Sequence, residues 1–252
     1  MSFDVAASAY DRFMGRWSGP LAEQFVELTG VHDGQRVLDV GCGPGALTGR
    51  LVERLGPTGV VAVDPSNSFV DAIRSRFPEV DVRVAAAEAL PFPDNHFDAA
   101  LAQLVVHFMS DPVTGLSEMA RVVRPGGVIA ACVWDQAGDS GPLSPFYRAL
   151  RELDPAASDE TQLPGVREGH LAVLCEAAAL RKIASGSLTV HLQFATFEEW
   201  WGPFTLGVGP AGASVTRLDD AGRARLRYRC EQLLPAAPFE VSGTAWSVLA
   251  VV

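Results

Sequence analysis

Val37-Leu38-Asp39-Val40-Gly41-Cys42-Gly43-Pro44-Gly45 runs from an apolar strand, through an acid, into three glycines at alternate positions. Glycine lacks a Cβ, so it allows a tight strand-to-helix turn and a close approach of backbone to ligand. A second apolar strand, Gly59 to Val63, ends in Asp64. That acid lies about twenty residues past the glycine loop, where a carboxylate that grips a ribose is expected. Asp39 narrows the ligand further. A carboxylate just before the glycines repels a pyrophosphate and suits a ligand with a cationic amino-acid end.

S-adenosylmethionine has those properties: an adenosine, an ammonium, a sulfonium and no phosphate. Val37 to Gly45 resembles motif I of class I S-adenosylmethionine-dependent methyltransferases. Ala87-Glu88-Ala89-Leu90-Pro91-Phe92-Pro93-Asp94, followed by Phe97-Asp98, resembles the adenine loop and fourth strand of the methyltransferase type 11 branch. That branch includes the ubiquinone/menaquinone C-methylases. Arg124-Pro125-Gly126-Gly127 is similar to the turn before the family's fifth strand, and Tyr10-Asp11-Arg12-Phe13-Met14-Gly15-Arg16 is similar to its N-terminal segment. The resemblance spans residues 8 to 135 and is generic beyond. It implies an α/β, Rossmann-like, doubly wound sheet of seven strands in the order 3-2-1-4-5-7-6, the last antiparallel. It also implies methyl transfer from S-adenosylmethionine to oxygen, nitrogen or carbon of a small molecule, leaving S-adenosylhomocysteine.

Composition bounds the alternatives. A chain of 252 residues with 48% apolar residues is expected to fold as one globular domain, 1–252, with room for insertions. The net charge of −10 argues against nucleic acid. No apolar run reaches membrane-span length and no signal pattern opens the chain, so a cytoplasmic protein without a membrane partner is expected. Cys42, Cys132, Cys175 and Cys230 form no CxxC pair and read as reduced structural thiols. No histidine pattern suggests a metal. Arg223, Arg225, Arg227 and Arg229 read as the solvated face of a helix over 219–234 whose buried stripe is Leu226, Cys230 and Leu233. Oligomeric state is open.

Apolar strands alternate with amphipathic helices, which predicts a parallel sheet covered on both faces. Helices are expected over 20–28, 46–55, 66–77 with Ser66 as cap, 146–153 and 168–180. Strands are expected over 36–40, 60–63, 80–85, 97–103, 128–134, 182–194 and 241–252. Between strands four and five, Asp111 caps a helix with Pro112 in its first turn, and Pro125-Gly126-Gly127 ends it. The rhythm breaks over 136–166 and 197–238, which read as insertions that cover the substrate. Residues 1–30 read as a segment that folds over the cofactor.

The expected cofactor set joins Asp39, Gly41, Cys42, Gly43 and Gly45 at the methionine half to Asp64 and Pro65 at the ribose. Phe69 stands where the family often has a methionine beneath the adenine, and also fits helix core. Ala87, Glu88 and Ala89 match the adenine edge. Tyr10 and Arg16, by the resemblance, close the methyl end and pair with the methionine carboxylate. Gln103 ends the fourth strand, where open parallel sheets present their crevice. His107 reads either as a general base with a pKa near operating pH or as a packed imidazole. Phe194, Phe197, Trp200, Trp201 and Phe204 read either as core or as a lid, with Trp134 and Tyr147 lining the same pocket. Two other readings stand beside methyl transfer. Gly41-x-Gly43-x-x-Ala46 formally fits a nicotinamide dinucleotide fingerprint, although Lys182 is the sole lysine and no YxxxK pair exists. A protein that binds S-adenosylmethionine without transferring its methyl group would carry the same core motifs.

Overall fold

Short runs of Val, Leu and Ala separated by amphipathic stretches fold, in the computed structural model, into one sheet sandwiched by helices; residues 7–155, 157 and 160–252 are described. The chain opens with α1 (Ala7–Tyr10), a π-helical turn (Asp11–Gly15) and α2 (Arg16–Thr29), which run on without a break. There follow β1 (Val37–Val40), α3 (Ala46–Leu55), β2 (Val60–Asp64), α4 (Asn67–Arg76), β3 (Asp81–Val84), β4 (Phe97–Gln103), α5 (Pro112–Val122) and β5 (Val123–Trp134). The second half holds α6 (Ser144–Leu153), α7 (His170–Ala177), β6 (Arg181–Phe194), α8 (Phe197–Trp201), α9 (Gly209–Arg217), α10 (Asp220–Leu233) and β7 (Phe239–Val251).

The seven strands are ordered β3-β2-β1-β4-β5-β7-β6. β1 to β5 pair in parallel, and β7 runs antiparallel to β5 and β6. Because side chains alternate along a strand, each strand feeds two cores. Leu38 and Val40 pack with Leu116 and Met119 of α5 and Leu171 and Cys175 of α7. Val37 joins Phe25 of α2 and Leu47 and Leu51 of α3 on the opposite face. Both faces of β1 and β2 are buried, as expected for central parallel strands.

Four details depart from the sequence reading. The first helix does not begin at Pro20: Phe13, Met14 and Trp17 are buried and carry the helix past the proline. Pro20 sits inside α2, where tertiary packing outweighs a missing backbone donor. Ser66 stands at the N-cap of α4, but its hydroxyl bonds Ser68 Oγ and caps nothing. Arg124 lies beyond α5, in β5. Pro125-Gly126-Gly127 bulges within β5: Val123 pairs with Phe97, and pairing resumes at Val128 opposite Ala99. Asp111 caps α5 as expected, accepting from the amides of Val113 and Thr114.

The arginines of α10 are distributed as a solvated face. Arg223 pairs with Asp220, Arg227 with Glu198 and Arg229 with Glu152. Among the described residues no helix is long and apolar enough to cross a membrane.

The two-faced burial of β1 gives a test. Leu38→Ala, in the fully buried centre of the sheet, should cost about 2–5 kcal/mol. Val84→Ala, on the edge strand with 46% of the residue exposed, should cost about 0.5 kcal/mol or less. Urea unfolding at unchanged m-value checks both.

Candidate functional site

Strand register assembles the site. Val40 pairs with Val63, so Gly41 lies level with Asp64; Asp39 pairs with Leu101, so Gly41 also lies level with Gln103. By the pleat, Asp39, Asp64 and Gln103 share the face on which Val37 and Leu101 meet α2 and α3. Three polar side chains on adjacent strands thus converge at the carboxyl edge of the sheet, where open α/β folds bind ligands. All three are buried. A cavity of about 320 Å³ opens above them.

The glycine loop is strapped across the end of β2. The amides of Gly41 and Cys42 both donate to Val63 O, at 2.8 and 3.0 Å. Gly43 N donates to Asp64 Oδ2 at 2.9 Å, and Ser66 N donates to Asp64 Oδ1 at 2.8 Å. Gly43 has φ of 53°, and a Cβ there would meet no protein atom within 4 Å. Gly45 has φ of 101°, and a Cβ there would lie 2.5 Å from Ile73 Cδ1. Gly43 therefore borders the cavity, whereas Gly45 is required by packing and lies outside it.

Burial sets the electrostatics. Asp39 is 1% exposed and accepts from Thr48 Oγ1 at 2.6 Å. Its carboxyl is nevertheless raised to about 7, chiefly by loss of water, with a further push from Asp64. Asp64 is raised for the same first reason, although its two backbone donors oppose the shift. The Cys42 thiol beside them is driven well up by burial and by both acids. No Lys or Arg lines the cavity among the described residues.

The N-terminal helical segment forms the roof. Gln103 Nε2 donates to Ser18 O at 2.9 Å and bolts α2 to the end of β4. Gln103 Oε1, equally buried, has no partner. Tyr10, Asp11, Gly15 and Ser18 line the cavity from this side, and the Tyr10 ring meets Phe69 edge-on at 5.5 Å. Pro65, Phe69 and Ala87 close the far wall. The part of the predicted N-terminal cover over residues 1–6 lies outside the described residues.

Three expected cofactor residues stand elsewhere. Arg16 lines no part of this cavity; it pairs with Glu199 at 2.8 Å and lies over the Phe194 ring. Gly45 and Ala89 do not reach it either. Glu88 borders the cavity, but its Oε1 accepts from the amides of Ser110 and Asp111. Its carboxylate fixes two loops to each other, which leaves the neighbouring backbone to face a ligand. Arg121 and Glu118 of α5 pin the same loop through Leu90 and Phe92.

A smaller cavity of about 50 Å³ adjoins the first, and Tyr10, Leu104 and Phe108 line both. His107, Trp134 and Tyr147 line the smaller one. The expectation of an imidazole poised near operating pH is corrected: burial pushes His107 down to about 3, so it is neutral. Its Nδ1 and Trp134 Nε1 are buried without hydrogen-bond partners. Trp200 and Trp201 do not line this cavity. They pack on Phe204, which stacks on Phe146 and meets Phe13 edge-on, so the aromatic series is core that backs the wall.

The sequence reading missed Gln136 and Glu160, which line the smaller cavity. Gln136 Nε2 and Tyr147 OH both approach Glu160 Oε2 at 3.1 Å. No periodic signal marks either residue. It also missed Leu104, whose φ of 62° turns the chain out of β4 into a 3-10 turn at Val106–Phe108. Residues 156, 158 and 159 of the first insertion lie outside the described residues. Among the described residues, no three His, Cys, Asp or Glu gather as a metal site.

Asp39 predicts a pH dependence. Below about pH 7 its carboxyl is protonated in the unliganded protein. A cation beside it favours the carboxylate, so binding expels a proton there. Affinity for S-adenosylhomocysteine should rise about tenfold per pH unit up to that point and level off above it. Calorimetry in buffers of different ionisation enthalpy should detect the released proton, and Asp39→Asn should flatten the profile.

Comparison with known proteins agrees with this architecture. The family model described as a methyltransferase domain matches residues 38–131. An uncharacterized methyltransferase of Mycobacterium tuberculosis is 40% identical over 135 residues, covering 54% of this chain and 52% of its own length. A ubiquinone/menaquinone biosynthesis C-methyltransferase of Chromobacterium violaceum is 36% identical over 154 residues, covering 58% of this chain and 62% of its own length. The matches thus span little more than half of each curated relative. The YcgJ protein of Bacillus subtilis superposes with a TM-score of 0.60 at 19% identity, covering 94% of this chain and 98% of that one, a likeness of fold. Residues 38–131 thus carry a methyltransferase domain, and the sheet order of the chain agrees with that of class I S-adenosylmethionine-dependent methyltransferases of the type 11 branch, which motif I resembles.

Proposed function

We propose that this chain transfers a methyl group from S-adenosylmethionine to a small molecule seated in the smaller cavity. The observation that carries the reading is the shared wall: Tyr10, Leu104 and Phe108 border both cavities at the carboxyl edge of the sheet. S-adenosylmethionine, when bound, supplies an electrophilic methyl group on a sulfonium. The larger cavity suits it. Two buried acids and the unpartnered Gln103 Oε1 favour a cationic amino-acid end. Asp64 keeps lone pairs for ribose hydroxyls beyond the two amides it already accepts. Phe69 and the backbone around Ala87 offer an apolar slot for adenine.

The same features weigh against a dinucleotide. A pyrophosphate needs free loop amides, and those of Gly41, Cys42 and Gly43 are already engaged. The acceptor is covered by both insertions: Gln136, Leu143, Tyr147 and Glu160 come from the first, and Val208 to Ala211 from the second. His107 belongs to this pocket as a neutral imidazole that orients a ligand. Catalysis then rests mainly on holding the nucleophile in line and excluding water.

Calorimetry should find binding of S-adenosylhomocysteine and none of NAD or NADP. Tight dinucleotide binding alone would overturn the reading. Turnover of labelled S-adenosylmethionine against a library of small acceptors separates a transferase from a protein that only holds the cofactor.

Asp64→Ala should weaken S-adenosylhomocysteine binding by about 1.5–3 kcal/mol. It should also lower the melting temperature, since the Gly43 and Ser66 amides lose their acceptor. An unchanged dissociation constant would reduce Asp64 to a loop clamp. His107→Ala should leave the shape of the pH–rate profile unchanged between about pH 5 and 8. A limb in that range that vanishes in the variant would mean the imidazole titrates there after all.

A further inference from the structure

The smaller cavity carries information about what it holds. Rings of Tyr10, Phe13, Phe108, Trp134 and Tyr147 contribute to its wall. Its charged lining, among the described residues, is the Glu160 carboxylate, and no Lys or Arg contributes. Glu160 is 6% exposed and is held in the wall by Gln136 Nε2 and Tyr147 OH, both at 3.1 Å. A buried carboxylate among aromatic faces attracts a cation and repels an anion. Two other lining residues, unlike Glu160, carry a buried atom without a hydrogen-bond partner: a neutral imidazole can present a lone pair at His107 Nδ1, and Trp134 Nε1 is a donor. Buried polar groups left unpaired are costly, and a ligand that pairs them recovers that cost. The wall therefore asks for N–H donors, a positive charge and one oxygen acceptor.

We propose that this cavity takes the amino head of a small amine that also carries an oxygen, with Glu160 and His107 Nδ1 accepting from the nitrogen and Trp134 Nε1 donating to the oxygen. The proposal rests on the reading of this cavity as the acceptor pocket. Its volume of about 50 Å³ admits a head group, with the rest of the molecule directed along the insertions. Aryl and alkyl carboxylates and phosphate esters are excluded by the charge of Glu160. An ammonium has no lone pair to donate, so one N–H bond must break before attack. The proton goes to a Glu160 oxygen, which becomes a carboxylic acid, and the nitrogen keeps the electron pair. The negative potential extends to the cofactor side: Tyr10, on the shared wall, is pushed up to about 12 by burial first, then by Asp64, with Glu160 contributing.

The test is binding to the protein, with and without saturating S-adenosylhomocysteine. The probes are 2-phenylethylamine, 2-amino-1-phenylethanol, 2-phenylethanol and 3-phenylpropanoate. The two amines should bind about ten- to a hundredfold tighter than the alcohol, and the carboxylate should not bind. The amino alcohol should exceed the plain amine, and Trp134→Phe should erase that difference. Glu160→Gln, which keeps the side-chain shape, should weaken both amines about ten- to a hundredfold while the affinity for S-adenosylhomocysteine stays unchanged. Carboxylate binding equal to amine binding, in the unaltered protein, overturns the proposal. So does amine affinity that Glu160→Gln leaves untouched. Amines that bind but never yield methylated product count against methyl transfer and leave the pocket assignment standing. Methylation of the alcohol without amine binding does the reverse.

Discussion

Two backbone amides, from Gly43 and Ser66, converge on the carboxylate of Asp64, and the crevice is organised around that meeting. The first amide belongs to the loop after β1 and the second to the turn after β2. One side chain therefore locks the two loops as a single body. Because the amides of Gly41 and Cys42 also end on Val63, the loop has little freedom to adjust to a ligand. The distance between the acid end of the cavity and its ribose end is set by the protein before anything binds. That preorganisation has a cost in charge: Asp39 and Asp64 are both held in low dielectric with carboxyls harder to ionise than in water.

Near the cavities the roof is joined to the rest of the fold by two polar links. Gln103 reaches Ser18, and Arg16 reaches Glu199 on α8. Farther along α2, Gln24 donates to Thr189 O and Glu27 pairs with Arg54 of α3, while beside the cavities the attachment is largely apolar, through Phe13, Met14 and Trp17. Such contacts are non-directional, so they fix the roof's position less sharply than the hydrogen-bonded floor fixes the loops. Tyr10 belongs to the roof yet borders both cavities. The order of the floor and the adaptability of the roof thus meet at one phenol ring.

Much of this was legible from residues alone, and the limits have physical causes. β1, α3 and β4 carry local signals, an apolar run or a helical stripe with glycine punctuation, and their bounds follow from those. Asp39 and Asp64 were readable because strand parity and spacing fix where a strand-end acid points. The sheet order was not readable from periodicity, since nothing local states which strands pair; it came from the family resemblance. The pairing of Arg16 with Glu199 had no local signal, because the two are remote in sequence. His107 lines the smaller cavity, and its protonation depends on how thoroughly other elements bury it, which no local pattern states. Glu160 and Gln136 sit in a segment with no period, so only tertiary folding brings them to Tyr147. Pro20 misled because a proline at a helix start and a proline tolerated inside a packed helix look alike in sequence.

Leu104 has a consequence of a different kind. A leucine at φ of 62° adopts a backbone that L-residues avoid, at a cost of about 1–2 kcal/mol. A glycine would relax that turn. It would also remove a buried side chain from the partition between the two cavities, where Leu104 stands with Tyr10 and Phe108. The chain accepts local strain and keeps two compartments with a narrow septum instead of one wide chamber. Whatever occupies either side meets the other where Tyr10, Leu104 and Phe108 border both cavities. The selectivity of the contact is then a property of a rim made by three side chains, one of them carried on a backbone that L-residues avoid.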